Sequence, residues 1–507
     1  FHEVKDSQSY EAVLKEAGVS LRPEDRAATI EEQLATVAKE VQGQVLHDPE
    51  LLEEVTFLVE MPQAFAGSFD PEFLAVPREV TVTAMRSHQR YFAVEDASGK
   101  LLPHFLVVAD GRWDDASQVI AGNERVLRAR LSDARFYWDV DLKTGLDGLA
   151  DALKSVVWLE GLGTLADKSE RVAKIMVALG PDVAGDAWSS LTQKAPRAAK
   201  VAKADLASEM IKDGKEFTGL QGVIGARYGE ALGEDPEVCQ ALAQQYLPRG
   251  SKDPLPESEL GLLLALADRF DTIAGCWAAG FVPTGSQDPY GLRRAGNGIV
   301  RILLEKSRVT SLSEAIKNAL QNLPGDWNRE ALGQEIASFF RERLAFHLRE
   351  RSISYDVVDA VLEVGADHPV DALARAKALQ AVRGEAELER LVIGYKRAAN
   401  ILKGINASDI ESFDGLDWSG AEPAEEALRQ AVTQATPKVL QLNQDAKYPE
   451  MLQELLTLRE PIDTFFDDVM VMSEDPKQKA RRVSLLNQVR LLFQNLCDLS
   501  CIVIEGE

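Results

Sequence analysis

The residues best able to do chemistry in this 507-residue chain are its arginines and lysines, and they are clustered. Arg125, Arg128, Arg130 and Arg135 fall together, as do Arg293, Arg294 and Arg301. A third group holds Arg341, Arg343, Arg349 and Arg351, and a fourth Lys477, Lys479, Arg481, Arg482 and Arg490. Cationic groups at this spacing can grip phosphate oxygens through charge-assisted hydrogen bonds. They serve equally well as solvated helix faces answered by carboxylates. The net charge of −25 argues against nonspecific coating of nucleic acid, yet binding needs only local basic patches.

Metal and cofactor chemistry find little support. The six histidines are His2, His47, His88, His104, His347 and His368, and none falls between 104 and 347. A metal site in that span would rest on carboxylates, a poor set for a hydrolytic transition metal. The cysteines, Cys239, Cys276, Cys497 and Cys501, form no CxxC pair, which suggests a reducing compartment. Gly161-Leu-Gly163-Thr-Leu-Ala166 matches the dinucleotide pattern GxGxxA and follows the apolar run Val156 to Leu159. It lacks the second strand ending in an acidic residue, so a tight helix–helix turn is the expectation. Neither a P-loop, nor HExxH, nor GxSxG is present, and no cofactor or metal site is expected on this chain.

The elements that would position these residues are mostly helices. With 45% hydrophobic and 27% charged residues the chain reads as soluble and globular, long enough for three or four domains. Val80-Thr-Val-Thr-Ala84, Tyr91–Val94 and Leu101–Ala109 alternate like strands. From Ala121 the period turns helical, with a helix beginning at Thr164 and others over Val201–Lys212, Pro236–Tyr246 and Leu260–Gly280. Asp268, Arg269 and Asp271 interrupt the last of these, which therefore reads as buried rather than membrane-spanning. A Gly/Pro-rich loop covers Phe281–Pro289, and the acidic stretch Asn406–Glu426 reads as an excursion or linker. In the final helix Leu485, Leu486, Val489, Leu492, Phe493, Leu496 and Leu499 gather on one face. Lys479, Asn487, Arg490 and Gln494 gather on the other, a mixed cationic and amide surface suited to a single-stranded RNA loop. Arg125, Arg128 and Arg135 share an arc of an earlier helix, with Arg130 apart as a possible ion-pair partner.

Five stretches resemble the β subunit of bacterial glycyl-tRNA synthetase. They are Met85-Arg-Ser-His-Gln-Arg-Tyr-Phe92, Gly122–Ala134, Lys203–Gly222, Leu266–Thr272 with Pro283–Arg294, and Tyr395–Leu402 with the run Arg459–Ser500. The resemblance implies a mainly α, multidomain protein. Residues 1–148 would be a small α+β region, and 149–305 an HD-like helical domain without its metal site. Residues 306–388 would be a helical linker or body, and 389–507 a helical anticodon-binding-like domain. It further implies a tRNA-handling subunit in the cytoplasm with no catalytic site of its own. Elements resembling the HIGH and KMSKS motifs of class I synthetases are absent, and ATP and Mg²⁺ are expected at a separate or fused α subunit in an α2β2-type assembly. The tRNA contacts expected are Arg125, Arg128, Arg135, Arg293, Arg294, Arg301, Lys396, Arg397, Asn400, Lys479, Arg482, Asn487 and Arg490. Because the chain starts at Phe1, an upstream segment similar to the editing module of phenylalanyl-tRNA synthetase is expected to be missing. Two rival readings are a metal-dependent HD-type phosphohydrolase, opposed by the histidine gap, and a helical scaffold whose basic clusters are only surface.

Overall fold

Alternating apolar residues near the start of the chain build a small antiparallel sheet among helices. The computed structural model describes Val4 and residues 6–504; His2 lies outside them, as does the side chain of His88. The order is α1 (Ser7–Glu16), α2 (Pro23–Glu40), β1 (Gln44–Val45), α3 (Pro49–Leu58), β2 (Pro62–Ser68), α4 (Arg78–Gln89), β3 (Phe92–Glu95) and β4 (Leu101–Asp110). The strands lie β1-β3-β4-β2, with β4 central and paired to β2 from Pro62↔Asp110 to Ser68↔His104. Ile30 and Leu34 of α2 and Val55 of α3 pack on Phe92, Val94 and Leu106.

The strand expected at Val80–Ala84 is instead the first half of α4. Val80, Thr81, Ala84 and Met85 are all buried. Their spacing of one and four residues makes one helical face, and a buried face outweighs the small helix penalty of β-branched residues. Arg90 ends the helix in the left-handed conformation (φ 55°).

A long helix, α5 (Ser117–Ala152), follows and breaks at Gly145, whose φ of 73° and ψ of 160° are non-helical. The glycines of the GxGxxA match then lie in a hairpin between β5 (Val157–Leu159) and β6 (Gly163–Thr164), not between helices. Gly161 and Gly163 both take positive φ, 80° and 85°, as a tight strand-to-strand turn requires. Next come α6 (Leu165–Ala184), α7 (Trp188–Leu191), α8 (Lys194–Val201), α9 (Glu209–Lys212), α10 (Val223–Leu232) and α11 (Pro236–Gln244).

The single helix expected over Val201–Lys212 is split by a 3₁₀ turn at Ala204–Ala207. Two buried carboxylates organise that break. Asp141 of α5 accepts the backbone N–H groups of Glu209 and Met210 and the Tyr228 hydroxyl, the last at 2.6 Å. Asp205, with no exposed surface, accepts the N–H of Gly222, and burial pushes its carboxyl up to about 6.

The remaining helices are α12 (Glu259–Ala278), α13 (Leu292–Glu305), α14 (Leu312–Gln321), α15 (Arg329–Arg349), α16 (Tyr355–Val364), α17 (Pro369–Val382) and α18 (Ala386–Leu402). The chain closes with α19 (Pro423–Gln444), α20 (Tyr448–Leu456), α21 (Arg459–Asp468) and α22 (Pro476–Phe493). Helix α12 is buried over most of its length, including Asp268, Arg269 and Asp271. The Arg269 guanidinium donates to the carbonyls of Ala265, Leu247 and Pro248, and burial lowers its pKa to about 10. Among the described residues no helix is long and apolar enough to cross a membrane.

Two compact units divide the chain: Phe1–Trp158 with Gly163–Ala173 and Gln193–Tyr246, and Leu159–Leu162 with Lys174–Thr192 and Leu247–Glu507. Within the second, buried Arg375 of α17 donates to the carbonyls of Val361, Gly365 and Leu496. Asp356 of α16, fully buried, pairs with Arg383 and accepts the N–H of Val503. These bonds tie the 306–388 stretch to the segment that follows α22.

Candidate nucleic-acid interface

Helix α22 sorts its cations by depth. Asp475 caps its start by accepting the N–H of Lys477, and Pro476 fits the first turn, where no N–H partner is needed. Its apolar stripe from Leu485 to Phe493 is buried as its period predicts, but the helix ends at Phe493, so Gln494, Leu496 and Leu499, expected on it, lie beyond its end. Lys479 and Arg490 are exposed and Asn487 is half-buried, with the Arg490 guanidinium donating to Asn487 Oδ1 at 3.2 Å.

Arg482, expected to reach RNA, does not face solvent. It is 2% exposed, and its guanidinium contacts Glu422 at 2.7 Å, Glu425 at 3.2 Å and the Met470 carbonyl at 2.7 Å. Glu422 and Glu425 form the capping box of α19, so a helix start supplies the carboxylates that hold this arginine inside. Arg481 beside it is also buried, 3.7 Å from Glu425, and donates to the carbonyls of Asp417, Ser419 and Gly420. Ser484 holds the Glu411 carbonyl at 2.9 Å. The acidic stretch that reads as a linker is therefore clamped to α22.

Helix α18 packs on α22 through Tyr395, whose ring meets Phe493 edge-on at 5.3 Å. Burial, and then Asp498, push the Tyr395 phenol well above its ordinary range. The neighbouring polar positions differ. Lys396 is half-buried, Asn400 is exposed, and exposed Arg397 lies over the Phe466 ring at 4.3 Å from its centroid.

In the first unit, Arg125 and Arg128 are exposed on α5 and make no ion pair with any described residue. Phe136, 64% exposed, follows two to three turns later on the same arc. Arg135 is held by Glu72 at 2.6 Å, and Arg130, expected as an ion-pair partner, has no carboxylate within range among the described residues. In the second unit, Arg293 is half-buried and Arg294 exposed, neither ion-paired among the described residues, while Arg301 pairs with Glu305 at 2.8 Å. In the third cluster Arg341 and Arg349 are exposed and pair with Glu363 and Asp359, while Arg343, mostly buried, pairs with Glu342 and lies over the Phe339 ring at 5.0 Å from its centroid.

The structure also sets three of these arginines beside residues that spacing alone did not select, Asn297, Phe346 and His347. Helices α13 and α15 line a cleft of about 670 Å³ containing Arg294, Asn297, Arg301, Phe346, His347 and Arg351. Positions 294, 297 and 301, and positions 346, 347 and 350, each share a helical face, but that the two faces meet is a tertiary fact. Among the described residues no group of three or more His, Cys, Asp or Glu is arranged to hold a metal ion.

Comparison with known proteins gives these surfaces a context. Residues 391–502, reaching from α18 past α22, match the family model described as the DALR anticodon binding domain, so the C-terminal helices are of the anticodon-binding class. Residues 1–363 match the model for the glycyl-tRNA synthetase beta subunit. The glycine–tRNA ligase beta subunit of Geobacter sp. (strain M21) is 41% identical over 485 residues, covering 94% of this chain and 68% of that protein. Its counterpart in Acidobacterium capsulatum is 41% identical over 503 residues, 97% of this chain and 71% of the relative. The chain belongs to the glycyl-tRNA synthetase β-subunit family.

Proposed function

We propose that this chain grips tRNA(Gly) and supports its glycylation, while an α subunit, separate or fused, activates glycine. ATP and Mg²⁺ belong on this reading to the α subunit, in an α2β2-type assembly in the cytoplasm. The four-part division at residues 148, 305 and 388 goes with it, as a body, an HD-like domain without metal, a connecting body and the anticodon-binding end. The observation that carries the reading is the α22 surface of exposed Lys479 and Arg490 with half-buried Asn487, inside the stretch matching an anticodon-binding domain. A cation and an amide side by side suit an unpaired loop, which offers phosphates and open base edges together. Arg125 and Arg128 of α5, and Arg293 and Arg294 of α13, add further free cations for phosphates.

Filter binding of a tRNA panel tests the first half: preference for glycine acceptors is expected, and equal retention of all tRNAs would overturn it. Glycine-dependent pyrophosphate exchange into ATP by the purified chain tests the second, with none expected. Exchange at a rate comparable to a complete synthetase would refute the division of labour.

A further inference from the structure

The α13–α15 cleft has a chemistry more selective than a basic patch. Its three arginines face two carboxylates, Glu305 and Glu350, leaving one net positive charge. Glu305 takes Arg301 at 2.8 Å and Arg351 at 3.8 Å, so the unneutralised cation is Arg294, which has no ion pair among the described residues. On the wall sit two buried polar atoms without a hydrogen-bond partner, Asn297 Oδ1 and His347 Nε2. His347 is 9% exposed, and burial, reinforced by Arg351, pushes its imidazole down to about 4. The ring is therefore neutral at physiological pH, and one of its nitrogens is an acceptor. Asn297 Oδ1 can only accept, and two polar atoms shielded from water call for partners delivered by a bound group. At the rim Phe346, 48% exposed, offers an aromatic face beside the His347 ring, 5.4 Å between centroids.

We propose that this cleft holds one ribonucleotide of a single-stranded RNA segment, with its phosphate on Arg294, its base against Phe346 and its ribose hydroxyl toward Asn297 and His347. This deepens the tRNA-binding reading and rests on it. A volume of about 670 Å³ lies inside the range of roughly 300–1,000 Å³ typical of ligand sites. Base stacking on an exposed aromatic is tolerant of sequence, the arginine supplies salt-dependent attraction, and a hydroxyl donor is what distinguishes RNA from DNA.

Fluorescence anisotropy on the full chain, with a short labelled single-stranded RNA and its 2′-deoxy counterpart, tests this. Arg294→Ala and Phe346→Ala, both at exposed positions, should each weaken RNA binding roughly tenfold. The wild type should prefer RNA to DNA, and Asn297→Ala should narrow that preference while thermal melting confirms folding. Unchanged RNA affinity in Arg294→Ala and Phe346→Ala, or equal affinity for the deoxy oligomer in the wild type, would overturn the proposal. Displacement of the RNA by AMP at matched nucleotide concentration would assign the cleft to free mononucleotides and equally overturn it. Failure of the wild type to bind any tRNA would sink the reading beneath. Intact tRNA binding with indifferent cleft variants would sink the cleft alone.

Discussion

Removing the Arg482 side chain would leave Glu425, which has no exposed surface, without its closest cation. Breaking a buried ion pair costs about 3–5 kcal/mol, and Arg481 at 3.7 Å answers Glu425 only in part, so Arg482→Ala should melt well below the wild type in a thermal scan. Arg490→Ala on the same helix should leave stability within about 0.5 kcal/mol. It should instead weaken tRNA binding and lower the salt slope by about one if the contact is to phosphate. Asp205 carries a pH signature. Its folded pKa of about 6 exceeds the unfolded value of about 3.9, so the folded state binds more protons between them. Stability should therefore rise as pH falls, by about 1 kcal/mol from pH 7 to pH 5, and Asp205→Asn should remove that rise. Urea melts at the two pH values measure it. The exposed face of α22 was legible because solvent exposure follows the apolar stripe opposite. The depth of Arg482 was not, since arginine is ordinarily a surface residue and its partner Glu425 lies 57 positions earlier.

Helices succeed or fail as packing units, and α13 shows the tolerance. A Cβ added at Gly296 would stand 2.6 Å from the Phe339 ring of α15. That ring is boxed in by Trp277 at 4.9 Å and Phe340 at 5.7 Å and has little room to retreat. Gly296→Ala should thus cost about 1–3 kcal/mol through overpacking, although alanine is the better helix former. Denaturant titration gives the value, and a neutral or stabilising result would show that the two helices slide apart freely. The long helices α12 and α22 could be read from sequence, α12 because its apolar run is too long for a strand and α22 because its apolar stripe repeats over several turns. Val80–Ala84 could not, because five residues fit a period of 2 and a period of 3.6 alike, and burial of both Val80 and Thr81 decided for helix. The Gly161–Gly163 turn was misassigned for a related reason: positive φ is visible as glycine, while the elements it joins are not.

At the scale of the whole chain, the charge of −25 sets two responses against each other. Salt screens self-repulsion, so melting temperature should rise with moderate NaCl. The same salt competes with arginines for phosphates, so tRNA affinity should fall. Parallel melts and binding assays at low and moderate NaCl test this, and affinity indifferent to salt would exclude phosphate contacts as the main source of binding. The cleft between α13 and α15 belongs to this scale as well. Each half was present as a helical face, and only the fold set Arg294 against His347.

The clamp that α22 places on residues 411 to 420 has a consequence for dissecting the molecule. Composition advertises that acidic stretch as the place where a protease would nick and a fragment could end. With its carbonyls held by Arg481 and Ser484, the backbone there is not free to enter a protease groove. A fragment beginning just after it would lose the oxygen partners of Arg481 while keeping the arginine. A fragment that keeps clamp and clamped segment together, and also keeps Asp356 and Arg375 with the Val503 N–H and Leu496 carbonyl they hold, has to begin upstream of α16.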